Sequence, residues 1–180
     1  MFKKGFTLAE TLISLTIIGV IAALTMPGLL NSRPNKSKAM FLKAYNTLTT
    51  QIVDILSDPS LYYTTYDANG NPNCSGLGCT SLPTDPNYSD SKYSGKNKFV
   101  YLFASRLNLQ GSPTESDGEI IFRTMDGLLW TFQSNSSGSF AVLIETSKTS
   151  HALDVDSEGG ITPRNPQDYV WLREATSLTN

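Results

Sequence analysis

The stretch KKGFTLAETLISLTIIGVIAALTMPGLL, residues 3–30, decides how the rest of the chain is interpreted. No charged side chain occurs from Thr11 to Ser32, a run of 22 residues. At about 1.5 Å per residue, about 20 helical residues cross the roughly 30 Å hydrocarbon core of a bilayer. The stretch therefore predicts a transmembrane helix over 6–30. Glu10 needs a separate explanation, because a carboxylate at the centre of a membrane helix costs about 2.5–3.5 kcal/mol to insert.

A cleavable secretory signal is the competing interpretation of this segment, because such signals also begin with lysines followed by an apolar run. The run here is longer than the roughly 7–15 residues of a signal core, and no small-x-small cleavage site follows it. Both features favour a retained anchor. Lysine or arginine flanks the run on both sides, so the positive-inside rule leaves its orientation open.

The peptide KKGFTLAE, residues 3–10, carries a resemblance to a known family. Basic residues, Gly, Phe, Thr, Leu, a variable residue and Glu precede an uninterrupted apolar helix. This order resembles the processing site of type IV prepilins and of type II secretion pseudopilins. The resemblance implies that residues 1–5 are a leader peptide, which a membrane-embedded prepilin peptidase removes by cutting between Gly5 and Phe6. It also implies that Phe6 becomes the N-methylated first residue of the mature chain.

Glu10 acquires a role once this cleavage is considered. The cut creates an amine at Phe6, which keeps its positive charge after methylation. In helices packed with an axial stagger, that amine can approach a neighbour's Glu10, and pairing offsets part of the cost of burying each charge. Other offsets leave both charges unpaired, so the pair fixes the register as a single polar residue does in a coiled coil. We therefore predict that Glu10 is an assembly determinant and not a catalytic acid.

Pro27 and the residues after it predict a kinked or locally unwound stretch around 25–35. The resemblance extends to Pro27, because many pilins have a helix-kinking proline there, and it implies that melting at this point lets subunits pack. An amphipathic continuation of the helix is predicted over 31–57. Its apolar stripe, at spacings of three and four, comprises Phe41, Tyr45, Leu48, Ile52, Ile55 and Leu56. We expect a head, residues 58–180, to fold against this stripe.

Residues 58–97 are rich in Pro, Gly, Asn and Ser and predict a variable loop. Within it lie Cys74 and Cys79. A Cys/His zinc site lacks ligands, since His151 is the only histidine. The remaining choices are a disulfide and two free thiols, and an exported loop favours the disulfide. This loop composition and the cysteines favour an extracytoplasmic head.

The rest of the chain predicts a helix followed by a sheet. Apolar spacing predicts a short helix over 95–108. Asp126-Gly127 between two β-rich runs is a strong hairpin signal. Strands are predicted over 119–124, 128–133, 140–146, 151–155 and 168–172, with the third buried on both faces. The predicted fold is α+β: a long N-terminal helix packed on a small antiparallel sheet over 119–172, as in pilins.

Asp154, Asp156 and Glu158 are candidate calcium ligands, with Asp168 a more distant one. Oxygen ligands at alternate positions followed by glycine resemble the start of a calcium loop, but the acid that an EF-hand needs at its twelfth position is missing. The resemblance adds weight, because major pseudopilins carry calcium in a loop of this region. An acidic turn between two strands is the commoner alternative. No other cofactor is indicated.

No catalytic site is indicated by the sequence. A Ser-His-Asp triad would have to use His151, and a lone histidine in a Ser/Thr-rich turn is usually solvated or hydrogen-bonded. No glycine-rich phosphate loop is present. The segment 59–180 has eight Lys/Arg and thirteen Asp/Glu, which argues against nucleic acid as a partner. An enzyme on a signal anchor is therefore the least favoured class.

The family resemblance implies a structural subunit of a type IV pilus-like or type II secretion pseudopilus filament. Its implied partners are other filament subunits through the N-terminal helices, the prepilin peptidase, the inner-membrane assembly platform and the membrane. The implied location is the bacterial cytoplasmic membrane, crossed once with the head outside, followed by a periplasmic or cell-surface filament. The alternative is a low-copy minor subunit of adhesin type, which binds a substrate or surface through the 58–97 loops.

Overall fold

The computed structural model describes residues 7–31, 35–146 and 149–177. The chain divides into two compact units, residues 1–36 and residues 37–180. The first unit contains helix α1, Leu8–Asn31. Within the described ranges, no helix combines the length and the apolar character that crossing a membrane requires. The predicted span over 6–30 is therefore not confirmed.

Helix α2, Lys36–Ser57, opens the second unit. The predicted unwinding around 25–35 is only partly covered by the structure. Helix α1 continues past Pro27 to Asn31, Asn35 is not helical, and residues 32–34 lie outside the described residues. The long N-terminal helix of the prediction is thus assigned as two separate helices.

Helix α2 buries four residues of its predicted stripe, Phe41, Leu48, Ile52 and Ile55, whereas Tyr45 and Leu56 are half-buried. The fully buried apolar side chains on this face are Phe41, Ala44, Leu48, Ile52 and Ile55, at spacings of three and four. The stripe packs against the sheet and the C-terminal part of the head. Phe41 of this stripe contacts the rings of His151 on β5, at 4.4 Å, and Trp171 near the C-terminus, at 6.1 Å.

The segment 58–97 is a loop ordered by short 3₁₀ turns. These turns are Gly76–Gly78, Pro86–Tyr88, Ser91–Tyr93 and Gly95–Asn97. Helix α3, Lys98–Ser105, follows. The predicted helix over 95–108 is therefore shorter than expected at both ends.

Six antiparallel strands form one sheet in the order of the chain. They are β1 (Thr114–Ser116), β2 (Glu119–Arg123), β3 (Leu129–Ser134), β4 (Phe140–Glu145), β5 (Ser150–Val155) and β6 (Ile161–Pro163). The first four predicted strands are confirmed as β2 to β5. The sequence does not predict the short edge strands β1 and β6. Strand β1, Thr-Glu-Ser, has no apolar residue, and the three residues of β6 are too few to establish a period.

The prediction that strand β4 is buried on both faces is wrong. Phe140, Val142 and Ile144 are buried, whereas the alternating residues between them are half-buried. One face of the sheet therefore packs on the core and the other stays partly open, as is common in antiparallel sheets.

The predicted strand over 168–172 is also wrong, because these residues lie in helix α4, Pro166–Ser177. Asn165 precedes it, and its side-chain oxygen accepts a hydrogen bond from the backbone N–H of Gln167 at 2.9 Å. Asn at the N-cap followed by Pro at the first helical position is a strong helix start. The sheet accordingly ends at Pro163.

The core lies between the sheet and helices α2 and α3. Phe103 of α3 contacts three aromatic side chains of β2 and β3, with ring centroids at 5.2 Å for Trp130, 5.6 Å for Phe132 and 6.2 Å for Phe122. Tilted and edge-on aromatic pairs at these distances stabilise a core beyond the area that they bury. The observed fold is α+β, as the sequence predicts.

Candidate functional site

The first turn of helix α1 contains a reciprocal cap. Thr7 precedes the helix, and its carbonyl accepts the first helical hydrogen bond, from the N–H of Thr11 at 3.2 Å. The Thr7 hydroxyl oxygen accepts a bond from the backbone N–H of Glu10 at 3.3 Å. The Glu10 carboxylate in turn accepts a bond from the Thr7 backbone N–H at 2.8 Å. This is the capping box that a Thr-x-x-Glu sequence forms at the start of a helix.

The two oxygens of the Glu10 carboxylate are used unequally. Oε2 accepts both bonds from Thr7, one from its backbone N–H and one from its hydroxyl, each at 2.8 Å. Oε1 has no hydrogen bond to the residues that the structure describes. The carboxylate is thus held against Thr7 through Oε2 at the start of the helix.

The other predicted assembly residues fall outside this description. Gly5 and Phe6 lie outside the described residues, and the side chain of Pro27 does as well. The cut and the pairing of the Phe6 amine with Glu10 therefore stay predictions.

The surface of helix α1 beyond the cap is apolar on all sides. Its large apolar side chains keep 55–80 % of their surface exposed: Leu8, Leu12, Ile13, Leu15, Ile17, Ile18, Val20 and Ile21. A helix that is apolar all round is normally buried against lipid or protein. This helix therefore has a surface that requires a partner.

The two cysteines are joined by a disulfide between Cys74 and Cys79. The bond closes the 3₁₀ turn Gly76–Gly78, whose central side chain, Leu77, is buried. Cys79 is buried as well, whereas Cys74 is half-buried. The disulfide therefore fixes a turn that contributes to the core.

The predicted calcium ligands do not converge. Asp154 on β5 forms a two-pronged ion pair with Arg164, at 2.8 Å from Nε and 2.5 Å from Nη2. Asp156 accepts bonds from the backbone N–H groups of Glu158 and Gly160, at 2.9 and 2.8 Å. The two hydrogen bonds that the Arg164 guanidinium donates to Asp154 lower the pKa of the Asp154 carboxyl. In the described part of the chain, no three His, Cys, Asp or Glu side chains are placed to hold a metal ion.

Asp168, the more distant calcium candidate, belongs to a different cluster. Its Oδ1 lies 2.8 Å from Nδ1 of His151, and Nε2 of His151 lies 2.9 Å from the Thr149 hydroxyl. The imidazole is stacked on Phe41 of α2 at 4.4 Å. His151 is thus hydrogen-bonded, but it is buried inside β5 and does not lie in an exposed turn. The cluster joins α2, β5 and α4.

Lys98 is a buried charge that the sequence did not reveal. Only 1 % of its surface is exposed, and burial lowers its pKa to about 8. Its ammonium donates hydrogen bonds to the carbonyls of Cys79 and Ser81, at 3.3 and 2.6 Å. It also lies 4.1 Å from the centre of the Tyr62 ring. Lys98 thereby fixes the chain directly after the disulfide.

Comparison with protein families identifies the N-terminal segment. Residues 1–26 match the family described as the prokaryotic N-terminal methylation motif. The chain carries the type IV pilin and pseudopilin signature. No curated protein and no solved structure matches the chain significantly.

The pilin signature covers the capping box but none of the head, so the head's surfaces must be judged from its geometry. A polar groove of about 620 Å³ lies across the end of the sheet. The cross-strand row Gln133, Ala141, Asp154 and Thr162 contributes to it. Residues of the β3–β4 turn and of the β5–β6 turn form its remaining walls. The disulfide turn contacts both of these turns.

Proposed function

We propose that this chain is a structural subunit of a type IV pilus-like or type II secretion pseudopilus filament. It is cleaved by a prepilin peptidase between Gly5 and Phe6, N-methylated at Phe6, and polymerised through helix α1. The match of residues 1–26 to the methylation motif is the observation that carries this proposal. Before assembly the subunit is held in the bacterial cytoplasmic membrane with its head outside.

The geometry of Glu10 supports an assembly role. Thr7 occupies Oε2 of the carboxylate through two hydrogen bonds, and Oε1 has no bond to a described residue. A neighbour's Phe6 amine can therefore pair with Oε1 without displacing the cap. A charge-assisted bond of this kind is shorter and stronger than a neutral one, and it selects one axial offset between helices.

The exposed apolar surface of α1 supports the membrane and filament environments. Large apolar side chains of this helix keep 55–80 % of their surface exposed. Lipid before assembly and neighbouring helices after assembly both remove this surface from water, at about 25 cal/mol per Å². The same segment thus serves as anchor and as polymerisation surface.

Mass spectrometry of the chain from cells with and without the peptidase tests the processing step. We expect a mature chain that begins at Phe6 and carries one methyl group on its amine. A chain that still begins at Met1 in peptidase-containing cells would contradict the proposal. Gly5→Ala serves as the processing-defective comparison, because the resemblance assigns the cut to this glycine.

Substitutions in the capping box test the pairing, and the chain offers a matched control. Glu10→Ala removes the carboxylate half of the cap together with the charge, whereas Thr7→Ala removes the hydroxyl half of the cap and keeps the carboxylate. We expect Glu10→Ala to abolish co-assembly with wild-type subunits and Thr7→Ala to retain it. Equal assembly of the Glu10→Ala chain and the wild type would exclude the pairing, and equal defects in both variants would reduce Glu10 to a helix cap.

The second candidate function is a low-copy minor subunit that binds through the 58–97 loops. Tyr66 favours it, because this side chain is 64 % exposed where the backbones of Tyr66 and Pro72 pair around a tight turn. The ratio of this subunit to the other filament subunits, measured in purified filaments, separates the two roles. A trace component indicates the minor subunit, and a dominant one indicates the main structural subunit.

A further inference from the structure

The disulfide turn, residues 76–78, contacts the backbones of two hairpin turns that are distant from it in the sequence. The N–H of Leu77 donates a hydrogen bond to the carbonyl of Ser157, in the β5–β6 turn, at 2.8 Å. The neighbouring Gly78 approaches the β3–β4 turn, where a Cβ on Gly138 would lie 2.3 Å from the Gly78 nitrogen. Residues 76–78 therefore join two turns that the sheet itself leaves separate.

Two glycines make this close approach possible. A Cβ at Gly76 would lie 2.2 Å from the Ser157 carbonyl oxygen, and one at Gly138 would meet three backbone atoms of the disulfide turn within 2.6 Å. Both glycines also have positive φ, 52° and 85°. Only residues without a side chain fit this contact, so the contact depends on the backbone path of residues 76–78.

Two buried side chains, one hydrogen bond and the disulfide itself also hold residues 76–78 in place. Leu77 is buried in the core, and Cys79 is buried at the end of the turn. The ammonium of Lys98 bonds the carbonyl of Cys79 and fixes the chain that leaves the turn. The Cys74–Cys79 bond cross-links the entry of the turn to its exit.

We propose that the Cys74–Cys79 turn is a redox-dependent clasp that orders the β3–β4 and β5–β6 turns of the head. With the disulfide intact, residues 76–78 hold both turns and set the walls of the polar groove between them. Reduction by a dithiol transfers two electrons and two protons to the bond, gives two thiols, and converts the dithiol to its own disulfide. Residues 76–78 are then no longer closed by a covalent bond and lose their contacts with the two hairpin turns. This property belongs to the head and does not depend on whether the chain enters a filament.

Hydrogen–deuterium exchange of the full chain in detergent, before and after reduction by a dithiol, tests the clasp. We expect exchange at Leu77 and across residues 135–139 and 156–160 to become roughly two- to tenfold faster, the factor equivalent to losing one net hydrogen bond. The internal control is the β2–β3 turn, residues 124–128. A Cβ on its Gly127 would meet no atom within 4 Å, and exchange in this turn should not change.

Two glycine variants separate the effect of the contact with the hairpin turns from the effect of the disulfide bond. Gly138→Ala and Gly127→Ala both place alanine at a positive φ, of 85° and 90°, but only Gly138→Ala clashes with the disulfide turn. We expect Gly138→Ala, with its disulfide intact, to accelerate exchange at Leu77 and in residues 156–160. Gly127→Ala should affect only its own turn.

The proposal is contradicted if reduction accelerates hydrogen–deuterium exchange only within residues 74–79. It is also overturned if Gly138→Ala leaves Leu77 and residues 156–160 as protected as in the Gly127→Ala chain. The reduction experiment uses the wild-type sequence, so a folding defect in a variant does not affect its outcome.

Discussion

Oδ1 of Asp168 lies 2.8 Å from Nδ1 of His151, and the two side chains are 0 % and 2 % exposed. This contact joins helix α4 to strand β5 in the interior of the head. Trp171, one helical turn after Asp168, adds a ring contact to Phe41 at 6.1 Å. The C-terminal helix is therefore held by a polar pair set among aromatic rings, and it reaches α2 through them.

Removal of one member of this pair should destabilise the head strongly. We expect Asp168→Ala to lower the free energy of unfolding by about 1–3 kcal/mol, because it leaves a buried nitrogen of His151 without its hydrogen-bond partner. Asp154→Ala is the matched control. Its ion pair with Arg164 is about half exposed and should contribute less than about 1 kcal/mol. Urea denaturation measures both values, and equal losses in the two variants would contradict this ranking.

Lys98 should make the stability of the head rise with pH. Its pKa is about 8 in the folded chain against an ordinary value of 10.5, so the unfolded chain binds more protons between these values. Stability increases with pH wherever the unfolded state binds more protons. From about pH 7.5 to about pH 9.5 we expect a gain of roughly 2 kcal/mol.

Denaturant unfolding at several pH values, with the disulfide intact, measures this gain. Lys98→Met keeps the length of the side chain and removes the titrating group, so its curve should be flatter by the same amount. Parallel curves for the two chains would mean that the lysine keeps its ordinary pKa after folding.

The disulfide should stabilise the head to a limited extent by itself. Its cysteines are five residues apart, and closing so small a loop removes little entropy from the unfolded chain. We expect the double variant Cys74→Ser, Cys79→Ser to lose about 2 kcal/mol of its free energy of unfolding from loop closure. Loss of the contacts between residues 76–78 and the two hairpin turns adds to this value. Thermal unfolding under non-reducing conditions measures the total. No loss of stability would contradict both contributions.

Calcium should have little effect on the stability of the isolated subunit. Asp154 is paired with Arg164, and Asp156 is used by the backbone of its own turn, so three carboxylates do not converge. We expect the melting temperature to stay the same when calcium is replaced by a chelator. A loss of several degrees on chelation would restore the calcium site that the acidic spacing suggested. Arg164→Ala, which releases Asp154, is the informative comparison.

Local signals predicted most of the regular structure, because they act between neighbours in the chain. The period of α2 predicted most of its buried stripe, and β-rich runs between turn signals predicted β2 to β5. Asp126-Gly127 predicted the β2–β3 turn, where Gly127 indeed has a φ of 90°. Each of these features is encoded within a few residues, so the sequence suffices.

Helix α4 shows how a local pattern can mislead. The run Asp168–Leu172 contains the β-prone residues Tyr, Val and Trp, which favours a strand. Asn165 and Pro166 start a helix instead, and Asp168, Trp171 and Leu172 then fall on one face. The capping signal was present in the sequence, but the burial of an aspartate that selects this face was not visible.

The sequence by itself determined the N-terminal signature, the α+β class and the disulfide of the cysteines as one of two choices. These features depend on residue identity and short spacing. Only the tertiary structure brought together His151 with Asp168, Lys98 with the carbonyl of Cys79, and the disulfide turn with two hairpin turns. Such contacts join residues far apart in the chain, and their energy comes from burial, which no local pattern specifies.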